Sequence, residues 1–276
     1  MHSTIAETLG LKYEPIAILL TNQKPENAVQ FHEGKFGCVM AMLAAAVRGR
    51  QAIFDRNTFG CPGGGTGLGF GNQYKNIPGG EEGFYRFLSC GNEGIDEGMK
   101  IAETIKPFVR EEVYDDFVYG ERYLKSPELV KKFVEQLPIT DVPTKYVLFK
   151  PLSQVDPSKE KPETIVFLAD MNQLAALVIL ANYARNSNDN AIIPFCAGCQ
   201  SIGIHPFAEA KKEKPRAVVG LVDISARVQI KRQLKDDVMS FAVPLAMFNE
   251  MEENVSGSFL QRNTWKELME LTEKKS

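Results

Sequence analysis

The sequence predicts an α/β fold in which a mixed sheet, or sheets, is covered by packed helices. Three observations predict it. Short runs rich in Ile, Val, Leu and Phe alternate with longer apolar segments at helical spacing. Several of the longer segments open on a capping residue. The third is a composition of 44% hydrophobic and 24% charged residues, which is that of an ordinary globular chain.

The first strand is expected over 15–20, with Thr21, Asn22 and Pro25 as turn signals after it. Cys38 then precedes an Ala-, Met- and Leu-rich helix over 39–47 that Gly49 stops. A second strand fits 51–55, before the run Gly60-Cys61-Pro62-Gly63-Gly64-Gly65-Thr66-Gly67-Leu68-Gly69-Phe70-Gly71. Helical spacing returns over 81–88 and 94–109, broken at Ser89-Cys90-Gly91-Asn92. Ser126 before Pro127 starts another helix, since serine caps orphan amides and proline is tolerated in the first turn.

Strands are expected next over 145–149 and 164–169. Asp170 with Gln173 caps an almost wholly apolar helix to Arg185, which should be buried on most sides. A strand over 191–195 leads into Cys196-Ala197-Gly198-Cys199, followed by strands over 217–222 and 240–243. Thr264 with Glu267 caps a last amphipathic helix. Strand, apolar helix ending in arginine, strand and cysteine-glycine turn occur in that order at 15–65 and again at 164–203. The expected organisation is therefore an N-terminal α/β half, 1–140, carrying the cysteine- and glycine-rich loop, and a C-terminal half, 141–276, carrying the Cys-x-x-Cys turn. One compact domain is the alternative.

A formal charge of -3 gives no broad basic field, so nucleic acid is not an expected partner. The longest apolar segment, 174–184, is too short for the roughly 20 residues of a membrane span. The N-terminus does not read as a secretory signal, which places the chain in the cytoplasm. Five cysteines, an odd number, argue against a disulfide framework and for thiol, metal or redox chemistry.

Thiolate is the working form of cysteine, and helix N-termini and glycine-rich turns favour it. Cys196 and Cys199 can share one metal or one disulfide, with Cys61, Cys90 or Cys38 completing a four-ligand set. The bland alternative is that these are small core cysteines. The glycines Gly63, Gly64, Gly65 and Gly67 could cradle a phosphate or cofactor. Against that, the run lacks both a Gly-Lys-Ser/Thr ending and a Gly-x-Gly-x-x-Gly spacing, and close helix packing through Gly63, Gly67 and Gly71 competes with it. His205 is the best histidine for a ligand or proton carrier, with an ordinary surface loop position as the alternative. The paired carboxylates Glu81, Glu82, Asp115 and Asp116 read as solvated faces.

Cys38 before its Ala-rich helix, the Phe59-Gly60-Cys61-Pro62-Gly63-Gly64 turn and the Ala197-Gly198-Cys199-Gln200-Ser201 turn together resemble domain of unknown function family 169, of bacteria and archaea. The resemblance spans roughly 13–254. It implies an α/β fold, and its association with anaerobes makes an oxygen-sensitive iron-sulfur centre feasible. The expected function is redox chemistry or binding of an iron-sulfur cluster or other thiolate-bound metal, with a redox partner or small-molecule ligand and self-association into a homo-oligomer. The alternatives are a small-ligand binder walled by the glycine run, and a thiol enzyme using Cys61 or Cys199 with His205.

Overall fold

In the computed structural model, residues 1–234 and 237–273 are described. The first part runs α1 (Thr4–Thr8), β1 (Ile16–Thr21), α2 (Val39–Ala46), β2 (Ala52–Phe54), α3 (Pro62–Gly67), α4 (Gly80–Phe87), α5 (Asp96–Ile105), α6 (Glu111–Tyr119) and α7 (Pro127–Gln136). There follow β3 (Tyr146–Pro151), β4 (Thr164–Ala169), α8 (Met171–Asn182), β5 (Ala191–Ile192), α9 (Gly198–Ile202) and α10 (Ile204–Glu209). The chain closes with β6 (Ala217–Gly220), α11 (Ile224–Ile230), β7 (Met239–Pro244), α12 (Leu245–Asn254) and α13 (Asn263–Glu273).

The strands form one mixed sheet in the order β2-β3-β1-β4-β7-β6-β5, antiparallel at every pair except the parallel β5 and β6. An α/β fold with a mixed sheet and packed helices is thus what the chain adopts. Strands from residues 1–140 and 141–276 interleave, since β3 lies between β2 and β1. Alternating residues serve opposite faces, as a period of two requires. Ala17, Leu19, Ile165 and Phe167 join α8, α12 and Trp265 in one core, while Ile16, Ile18, Val166 and Leu168 join α2, α9 and α11 in the other. Outside the second face, α4 and α7 pack around Tyr74, Phe84, Val130 and Ile204.

Two of the three capping signals mark helix starts, whereas Thr264 lies inside α13, which begins at Asn263. Asp170 and Gln173 form the full reciprocal box that starts α8, and the Ser126 side chain accepts from Leu129 N to start α7. Several expected elements are shorter than their apolar runs, among them the strand over 217–222, which ends at Gly220, and the helix expected to Arg185, which ends at Asn182. The strand over 191–195 ends at Ile192, because Pro194 has no amide for a ladder. The helix over 94–109 ends at Ile105 and tightens into a 3-10 turn at Lys106–Phe108, where Pro107 removes an amide. The repeated order of parts also recurs as β1-α2-β2-α3 and β4-α8-β5-α9, yet α2 and α8 cover opposite faces of the sheet. No helix among the described residues is long and apolar enough to cross a membrane.

Candidate functional site

Three helices bring their N-termini together on the second face of the sheet. Cys38 is the N-cap of α2 and Cys61 the N-cap of α3, both with extended backbone, and the Gly64 amide donates to Cys61 Sγ at 3.2 Å. Proline in the first turn helps to set α3, so the glycine run is helical rather than a loose turn. Its glycines are there for contact. A side chain on Gly67 would sit 2.8 Å from Cys199 Sγ, and one on Gly64 would meet Phe59 O at 2.7 Å. Because Gly67 is bare, α9 packs directly on α3, and the Cys199 thiol donates to Gly63 O at 3.2 Å. Gly63 therefore borders both sulfurs, since the position of its missing Cβ is 3.8 Å from Cys61 Sγ. At Gly65 a side chain would strike Gln73 and Phe59 within 2.9 Å.

The third N-terminus, that of α9, is held from below by a carboxylate. Asp223 Oδ1 accepts from Gly198 N at 2.9 Å, and Asp223 is itself the N-cap of α11. It is delivered by Leu221, a buried non-glycine residue with φ of +64°, a conformation that costs energy and is held by its surroundings. Tyr74 closes the group: its hydroxyl accepts from Gln200 Nε2, and its ring stacks on Phe84 with centroids 3.9 Å apart.

Burial dominates the electrostatics. It pushes the Cys38 and Cys196 thiols up to about 12 and raises those of Cys61 and Cys199. Helix amides pull the other way on Cys38 and Cys61, but they do not win. Acidic neighbours add to the burial. Cys199 is raised further by Cys61, Asp223, Cys38 and Cys196, and the buried Tyr74 hydroxyl by Cys199, Cys61 and Cys196. Desolvation likewise lifts Asp223 to about 6 and, beside it, Glu121 to about 7. Glu121 accepts from Ser225 Oγ at 2.5 Å, and Ser225 N donates to the Tyr123 hydroxyl at 2.9 Å.

Cys199 thus lies within electrostatic reach of Cys61, Cys38 and Cys196, and Asp223 within reach of all four thiols, whereas Cys90 lies elsewhere. Cys90 is exposed in a shallow cavity with Ser89, Arg122, Leu124 and Lys125. All five cysteines are free. Among the described residues, no group of three or more His, Cys, Asp and Glu side chains is arranged to hold a single metal ion. His205 lies in α10 with Nε2 buried and without a hydrogen-bond partner, and burial lowers its pKa. His32 is exposed in the loop ahead of Cys38.

Sequence reasoning missed Asp223, Tyr74, Gln200 and Glu121. The one usable signal was for Asp223, an acidic residue just past a strand, where α/β sheets gather their ligands. No curated protein and no solved structure matches the chain. Residues 4–254 match the family model for domain of unknown function 169, described as an uncharacterised ArCR family, and the chain belongs to that family.

Proposed function

We propose that the chain is a redox or metal-handling protein whose working group is Cys38, Cys61, Cys196 and Cys199, with an iron-sulfur cluster as the group they hold. The observation that supports this reading is that Cys199, at the start of α9, lies within electrostatic reach of Cys61, Cys38 and Cys196, two of which cap neighbouring helices. Soft thiolate donors suit iron-sulfur clusters, and helix N-termini favour the negative charge of a thiolate-ligated one.

A cluster places a different demand on its ligands from one ion. A single ion needs all its ligands about 2.3 Å from one point, whereas a cluster spreads them over several iron atoms. Within this reading, Asp223 positions α9 through Gly198 N. Tyr74 and Phe84 shield the inner side from water. Bound there, the cluster would supply one-electron transfer.

Anaerobic purification with iron, sulfide and total-metal analysis tests the proposal. Stoichiometric iron and sulfide, lost on Cys→Ser substitution at each of positions 38, 61, 196 and 199 and retained in Cys90→Ser, is the expected result. A colourless, metal-free chain that resists anaerobic reconstitution would sink it.

A further inference from the structure

Residues 171–183 form an uncharged run, from Met171 to Tyr183 without one Asp, Glu, Lys or Arg. A helix apolar on nearly every side is expected to be buried on nearly every side. The structure buries only one. Ala176, Leu177, Leu180 and Ala181 enter the core against the sheet. On the opposite face Met171, Ala175, Ile179 and Tyr183 stand in one row at four-residue spacing, and all are exposed. Met171 is 77% accessible, Ile179 52% and Tyr183 47%.

The neighbouring helix extends the patch. Asn172 Nδ2 donates to Thr272 Oγ1 at 3.1 Å, and on that turn of α13 Leu268 and Leu271 are 38% and 49% accessible. Single exposed apolar residues need no explanation, but a contiguous row marks an interaction surface.

We propose that a second copy of this chain covers this face, the two α8 helices packing antiparallel across a two-fold axis. Residues four apart form one of the ridges by which helices pack, and a shallow crossing keeps the whole row in contact. Turned about its centre, the row sets Ile179 against the small Ala175 and Met171 against the Tyr183 ring, so bulk meets space and thioether meets aromatic. A self-complementary patch must also avoid like charges, and this run carries none. Antiparallel pairing further lays each helix N-terminus beside the other's C-terminus, where the dipoles attract.

Area supports the same occupant. Fully covered, the five large exposed side chains would bury about 500 Å² per protomer and about 1,000 Å² across the pair, the lower bound for a specific interface, to which flanking residues add. Pairing here leaves the thiols open, because α8 covers the opposite face of the sheet from α2 and α9. The inference is independent of what the thiols hold.

Light scattering and sedimentation equilibrium on the whole chain, under reductant so that exposed Cys90 makes no cross-link, test it. The native chain is expected to be a dimer with a Kd of about 10 µM or tighter. Ile179→Glu, and separately Met171→Glu, should weaken it by about 100-fold or more by setting carboxylates against apolar surface and each other. Leu129→Glu, on the exposed face of α7, should leave it unchanged. Matching far-ultraviolet circular dichroism shows that the variants fold. A native chain monomeric at about 100 µM, a dimer that neither variant weakens, or an open assembly that grows with concentration would each overturn the two-fold pairing.

Discussion

Substituting Asp223 by Asn changes charge with little change in shape, and the structure sets the size and sign of the effect. The carboxylate accepts from Gly198 N, yet burial lifts it from 3.8 to about 6. At about 1.4 kcal/mol per pH unit, that rise corresponds to about 3 kcal/mol of penalty on the ionised form. A folded pKa above the unfolded one means that the favourable contribution is complete below 3.8 and is lost as pH rises through about 6. Asparagine keeps the acceptor for Gly198 N and never ionises. Metal-free Asp223→Asn should therefore be more stable than the native chain by about 3 kcal/mol at about pH 8, shrinking to about 0.5 kcal/mol at about pH 4. In a chain of this length that is a rise of about 6 °C or more in Tm near pH 8. Urea denaturation of both proteins across this pH range is the assay. A difference that does not vary with pH, or a variant less stable at about pH 8, would refute the reasoning.

Glu121→Gln should act in the same direction through a higher window, because burial lifts Glu121 from 4.5 to about 7; denaturation between about pH 5 and 9 checks it. Gly67→Ala would place a methyl group 2.8 Å from Cys199 Sγ and should cost about 1–3 kcal/mol, whereas Gly63→Ala meets only ordinary contacts and should cost far less; urea midpoints separate the two. Brief alkylation of the folded, metal-free chain, read by peptide mass mapping, should label exposed Cys90 first and buried Cys196 and Cys199 only after unfolding.

Local chemistry explains which parts of this architecture were legible in the sequence. The strand over 164–169 and the start of α8 could be read to the residue, because a fully apolar run meets a capping box with both partners present. The α3 helix could not, since glycine disfavours helix and only packing against Cys199 and Phe59 explains the run. The short α9, α10 and α11 were unforeseen for a similar reason: five to seven residues carry too few turns for a periodic signal. For the candidate site, the cysteines could be singled out but their proximity could not. Cys199 meets Gly63 across 136 positions of sequence, and no local pattern encodes that contact. The exposed row on α8 was hidden because burial and interface leave the same apolar composition.

The contest between burial and helix N-termini has one more consequence for the proposed occupant. With the Cys38 and Cys196 thiols at about 12, these sulfurs carry protons at neutral pH in the metal-free chain. Thiolate ligation removes those protons, so each one released makes loading about tenfold more favourable per pH unit. Anaerobic iron and sulfide loading at graded pH, followed by charge-transfer absorbance, should therefore become more favourable with rising pH, by one to several protons per site. Loading independent of pH would show that the thiols are already ionised or are not the ligands, and either result breaks the link drawn here between their burial and their chemistry.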